Sequence, residues 1–183
     1  MLVGFGQQEI TPPLGVHMEG FNLAQPAREV HDPLQARALA FRQGQREAVV
    51  VGLDLISCER GTMDRFKGRM VRELGLEPQQ ILINFSHNHS GPHVTRWHYR
   101  GTPAETYLEF VETRVIAAVE EARNSVRAVE MKGAMGRTRL PMNRRRINAQ
   151  GQAQWGPDPQ QPVCRALPLC VFEDAAGNVV GSM

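Results

Sequence analysis

Ile81-Leu82-Ile83-Asn84-Phe85-Ser86-His87-Asn88-His89-Ser90-Gly91-Pro92 sets the reading of this chain. Its first five residues form an apolar run of strand length, closed by turn formers, which reads as a β-strand at the centre of a sheet. Side chains repeat every two residues along a strand. His87 and His89 are therefore expected on one side of the strand end, with Ser90-Gly91-Pro92 enforcing a tight exit. Two neutral imidazoles converging there suit a divalent metal, or one metal ligand beside one acid/base group. A closed zinc site takes four ligands and a catalytic one three plus water, so the pair needs further partners. The alternative is two polar residues hydrogen-bonded to loop backbone. His93 and His98 follow in a polar loop with Arg96, Trp97, Tyr99 and Arg100, where solvation accounts for them equally well.

Upstream of the strand, Met63, Phe66, Met70, Val71 and Leu74 recur at helical spacing, and Gly75 sits where a C-terminal cap belongs. Downstream, Thr102-Pro103-Ala104-Glu105 is a capping box with Pro at the first helical position. Leu108, Val111, Val115, Val119 and Ala122 continue it as an apolar stripe, with Glu109, Glu112, Glu120 and Arg123 off that stripe. Residues 3–10 predict a first strand, ended by Thr11-Pro12-Pro13. A long Gly- and Pro-rich loop follows, through His31-Asp32-Pro33, and loops of that length are often functional. Residues 36–41 and 48–54 predict a hairpin whose second strand is buried on both faces. Residues 129–135 predict a strand, 138–163 a Gln-, Pro- and Arg-rich loop, and 166–172 with 179–181 a final hairpin. The class is α/β or α+β: a mixed β-sheet with flanking helices, read as a single domain over 1–183. The chain stops directly after its last predicted strand, which predicts that it is part of a larger domain.

Composition narrows the function classes. The chain has 183 residues, 42% hydrophobic and 22% charged, as in ordinary globular proteins. Net charge is +2, which gives no electrostatic case for nucleic acid. No stretch approaches the roughly 20 apolar residues of a membrane span. The N-terminus lacks a basic start followed by an apolar segment, so the default location is cytoplasmic, with secretion open if a leader has been removed. Cys58, Cys164 and Cys170 show no CxxC spacing and read as reduced, mostly buried thiols.

Other side chains extend the candidate site. Asp54 closes a run of Val and Leu, where an acid is costly unless paired. It either orients an imidazole through its free N–H or serves as a helix N-cap or turn residue. His31-Asp32-Pro33 is a plain turn or a third imidazole brought to the cluster. Asn143-Arg144-Arg145-Arg146 is a solvated loop, or it folds over the site so that one arginine clamps a carboxylate, phosphate or oxyanion.

The ordered set of segments resembles the N-terminal domain of the neutral/alkaline non-lysosomal ceramidases and their bacterial relatives. It comprises Glu9-Ile10-Thr11-Pro12-Pro13-Leu14-Gly15, Met18-Glu19-Gly20-Phe21, His31-Asp32-Pro33-Leu34-Gln35-Ala36-Arg37-Ala38, Val51-Gly52-Leu53-Asp54, Ser86-His87-Asn88-His89-Ser90-Gly91-Pro92 and Asn143-Arg144-Arg145. The resemblance implies a zinc-dependent amidase of sphingolipid metabolism that splits ceramide into sphingosine and a fatty acid. It implies His87 as a zinc ligand, His89 as a catalytic group and Arg144 at the active site. His31, Asp32, Asp54 and Ser90 are supporting candidates on the reading of the residues themselves. The implied partner is a small-molecule or lipid N-acyl substrate. The chain departs from the pattern at Asn88, where Thr is usual. The positions for the family's remaining His, Glu and Tyr ligands, and for its lipid-binding C-terminal domain, fall beyond residue 183. Two other readings stay open: a non-catalytic fragment or subunit of a split hydrolase, and a structural metal-binding module that recruits the cysteines.

Overall fold

The computed structural model describes residues 1–20, 26–95 and 105–183. The loop at 96–100 and the capping-box residues 102–104 lie outside the described residues. The chain divides into two compact units, Met1–Ala128 and Val129–Met183.

The first unit holds a five-stranded sheet. Its strands are β1 (Leu2–Glu9), β3 (Gln35–Gln43), β4 (Arg46–Leu53), β5 (Ile81–Phe85) and the short β7 (Arg127–Ala128), in the spatial order β5-β4-β3-β1-β7. Two further short strands, β2 (Met18–Gly20) and β6 (Ser90–Pro92), pair with each other. Helix α1 (Arg60–Leu74) connects β4 to β5, and α2 (Glu105–Asn124) follows β6. The β4–β5 pair is parallel, with Leu53 opposite Phe85, and the β1–β3 and β3–β4 pairs are antiparallel.

Small residues set how closely the helices approach. Gly4 and Gly6 share a sheet face with Ala36, Ala38 and Ala40, and α2 lies on it. A methyl on Gly4 would sit 1.9 Å from the Ala122 carbonyl oxygen, and one on Gly6 2.0 Å from that of Ala118. Only hydrogen fits where the helix backbone rests on β1. Val49, Val51, Leu53, Ile81 and Ile83 continue this face and pack with Phe66, Met70, Leu108, Val111, Val115 and Val119 into one core. The predicted α1 stripe is present, and Gly75 ends the helix at φ 65°, its N–H bonded to the Val71 carbonyl.

Four expectations for this unit change. The second hairpin strand is buried on one face only: Val49, Val51 and Leu53 are inside, Val50 and Gly52 half-buried. β5 is an edge strand, not a central one, and Leu82 is 58% exposed on it. Its apolar residues would serve either position, so composition alone could not decide. Glu112 is buried on α2, where it pairs with Arg65 and lies 3.9 Å from Arg69 across the two helices. The thiols are not mostly buried, for Cys58 is half-buried, as is Cys170 in the second unit, and Cys164 is exposed.

The second unit holds a three-stranded antiparallel sheet in the order β12-β11-β8, from β8 (Glu130–Arg137), β11 (Ala166–Glu173) and β12 (Val179–Ser182). The final hairpin is as expected. The expected loop at 138–163 instead contains a ribbon of β9 (Asn143–Ile147) and β10 (Ala153–Asp158). Its strands are largely exposed, and the first is mostly Arg144-Arg145-Arg146, so no alternation of apolar and polar residues marked them.

Candidate active site

The parallel pairing of β4 and β5 brings two chain exits together. Ser86 N–H donates to the Leu53 carbonyl at 3.0 Å, one step beyond the last paired residues. The segment after β4 bends at residues 54–56, beside the turn that carries the histidines. The carboxyl ends of parallel strands are where α/β sheets place ligand sites.

His87 and His89 come together, though not by strand alternation. β5 ends at Phe85, and His87 has φ 59°, the left-handed region. Among non-glycine residues, His is one of the few enriched there. The turn sets the two rings 4.7 Å apart between centroids at 65° between planes. Asn88 organises it: its Oδ1 accepts from the Ser90 N–H at 2.8 Å, an Asx turn. The turn that carries the pair is therefore set by local backbone chemistry.

His87 Nδ1 lies 2.9 Å from the Ile56 carbonyl oxygen. A carbonyl only accepts, so Nδ1 carries the proton and Nε2 of the neutral ring keeps its lone pair. This is the backbone anchoring that metal-binding imidazoles generally have on their second nitrogen. His87 is exposed, and His89 is half-buried with its Nδ1 shielded from solvent.

Sequence reasoning passed over the strap that holds His89. β2 pairs with β6 so that Glu19 lies opposite Gly91 and Gly20 opposite Ser90. Gly20 has φ 128°, and a methyl there would fall 2.5 Å from the His89 carbonyl oxygen and 2.7 Å from its Cβ. The quoted segment Met18-Glu19-Gly20 carried this signal, but pairing over some seventy residues of chain is invisible to local pattern.

The supporting candidates separate. Asp54 finds its partners in Gln35 N–H and the Arg37 guanidinium, both 3.0 Å from Oδ2, so this carboxylate braces the start of β3 against the end of β4. His31 and Asp32 face each other at 3.7 Å with side chains 97% and 88% exposed. They line a cleft of about 370 Å³ whose wall also includes Leu34, Asn88, Ser90 and Pro92. Among the described residues no group of three or more His, Cys, Asp or Glu could hold a metal ion, so neither His31 nor Asp54 completes a ligand set with the pair. Ser90 is exposed and contributes its N–H to the Asx turn. Arg144 belongs to the second unit, where its guanidinium lies 4.9 Å from the ring centre of Trp155 and that of Arg145 lies 5.2 Å from it.

A mixed sheet with a two-imidazole turn at the carboxyl ends of its parallel strands is thus the class of this molecule. Solved structures share that fold. The neutral ceramidase from Pseudomonas aeruginosa superimposes with a TM-score of 0.80 at 20% identity, over 99% of this chain and 30% of that one. A ceramidase complexed with C2 gives the same values. The resemblance drawn from the motifs therefore holds at the level of fold, and the chain spans 30% of the length of these ceramidases. No family model and no curated protein matches the chain.

Proposed function

We propose that the chain carries the histidine-bearing part of a ceramidase-like hydrolase, a zinc-dependent amidase acting on an N-acyl substrate of lipid type. The observation that carries this reading is the His87–Ile56 bond, which leaves an imidazole lone pair beside a second ring. His87 would hold the metal through Nε2. Zinc, when bound, supplies a water whose pKa is drawn towards neutrality. His89 would donate to the oxygen on which charge develops as the amide is attacked, or protonate the departing amine. The ceramidase fold supports the choice of an N-acyl substrate, and ceramide is the first compound to try.

The experiment is turnover of a fluorogenic N-acyl substrate by the purified chain with zinc. Hydrolysis that is lost in His89→Ala supports the reading, and parent turnover unchanged in His89→Ala contradicts it. One observation favours a second reading, of a metal-binding but non-catalytic piece: the described residues offer no third ligand. Zinc binding without hydrolysis would decide for that reading.

A further inference from the structure

Glu19 is a buried acid with no place in the proposed chemistry. It is 2% exposed, on the short strand β2. Its Oε2 accepts from the Val94 N–H at 2.8 Å, and its Oε1 from the Thr95 hydroxyl. No lysine or arginine among the described residues forms a salt bridge with it. Burying a carboxylate is costly unless hydrogen bonds compensate, and here both oxygens are used on one short piece of chain. That piece, residues 93–95, is the continuation of the histidine turn through β6. The adjacent His93 N–H is taken by the His17 carbonyl at 2.8 Å. Gly20, next to Glu19, touches the backbone and Cβ of His89 itself.

From these contacts we infer that Glu19 is a positioning residue for His89. The strap at 17–20 grips the turn at both ends: Gly20 at His89, and Glu19 at Val94 and Thr95. Without the carboxylate, two buried donors lose their acceptor, and the exit of the turn is freed to shift. Placement errors of about 1 Å cost on the order of a hundredfold in rate. The role is carried by the two hydrogen bonds to Val94 and Thr95. A glutamine can replace it, because its Oε1 accepts from Val94 while its amide N–H donates to the Thr95 hydroxyl, which is free to turn.

The inference rests on the catalytic reading of His89 for its rate arm and is independent of that reading for its structural arm. The test compares Glu19→Gln and Glu19→Ala in the full chain, by NMR of the imidazoles and by zinc-supported hydrolysis. Glu19→Ala is expected to shift the His89 ring resonances and weaken the His87–His89 ring NOE. It should cut turnover by about tenfold to a hundredfold at unchanged zinc affinity. Glu19→Gln is expected to match the parent in both arms. Unaltered His89 resonances in Glu19→Ala overturn the inference, and so does a Glu19→Gln as impaired as Glu19→Ala. If Glu19→Ala does not fold, Thr95→Val removes one of the two donors, with the same expectation of shifted His89 resonances. A parent with no turnover would defeat the hydrolase reading, while the NMR comparison still decides the role of Glu19.

Discussion

The Nδ1 of His87 and the carbonyl of Ile56 meet at 2.9 Å across the ends of two parallel strands, and that bond fixes both the ring and its tautomer. It coexists with a backbone at φ 59°, which a β-branched residue resists. His87→Asn is therefore expected to keep most of the stability, since Asn tolerates this region. His87→Val should lose about 1–3 kcal/mol. Urea unfolding of the two variants checks this, and equal midpoints would contradict the left-handed turn.

On the proposed function, His89 serves the reaction rather than the metal. Removing one donor to a developing oxyanion costs about 2.7–4 kcal/mol of barrier, so His89→Ala should lower kcat by at least about a hundredfold. Zinc affinity, measured by calorimetry, should change little. A variant that loses zinc and rate together would move His89 into the ligand set.

Gly6 sits where α2 rests on β1, and a methyl there would lie 2.0 Å from a helix carbonyl. Gly6→Ala forces helix and strand apart and should cost about 1–3 kcal/mol or more. A melt equal to that of the parent would mean that the helix is not seated as described.

Acid should loosen the far edge of the same core. Burial raises the pKa of Glu47, but the hydrogen bonds and charges of Arg123 and Arg42 outweigh it, so the carboxyl titrates below its ordinary value of 4.5. Its stabilising contribution is full above that value and is lost as pH falls through the lower folded pKa. Glu47→Gln should flatten the dependence of stability on pH below about 4.5 while lowering stability at neutral pH. An acid limb unchanged by the substitution would place the titrating group elsewhere.

Burial, aided by the neighbouring charge of Glu59, pushes the Cys58 thiol up to about 11, whereas Cys164 is exposed. Iodoacetamide at neutral pH should modify Cys164 well before Cys58, as peptide mapping would show. The reverse order would contradict the placement of Cys58.

Periodicity gave away the local elements of the first unit. The stripe ending at Leu74 with Gly75, the strand 81–85 and the early hairpin all follow from spacing and turn chemistry. Strand order did not follow, because Ile81, Leu82 and Ile83 are as apolar as a central strand while lying at an edge. The exposed ribbon around Arg145 and Trp155 lacked any alternation to betray it. At the site, the closeness of His87 and His89 was legible, but its cause was not, since a left-handed His is a property of the backbone and not of the pattern. Glu19 was hidden for a different reason: its partners at Val94 and Thr95 are remote in sequence, and long-range pairing leaves no local mark.

The most direct test of the account follows the two ring nitrogens of His87 by NMR while zinc is added to the full chain. The expected result is a Nδ1–H tautomer before zinc, a large shift of Nε2 on zinc addition, and loss of tight binding in His87→Ala. Zinc that leaves the His87 nitrogens unmoved, or binds His87→Ala as it binds the parent, would contradict it.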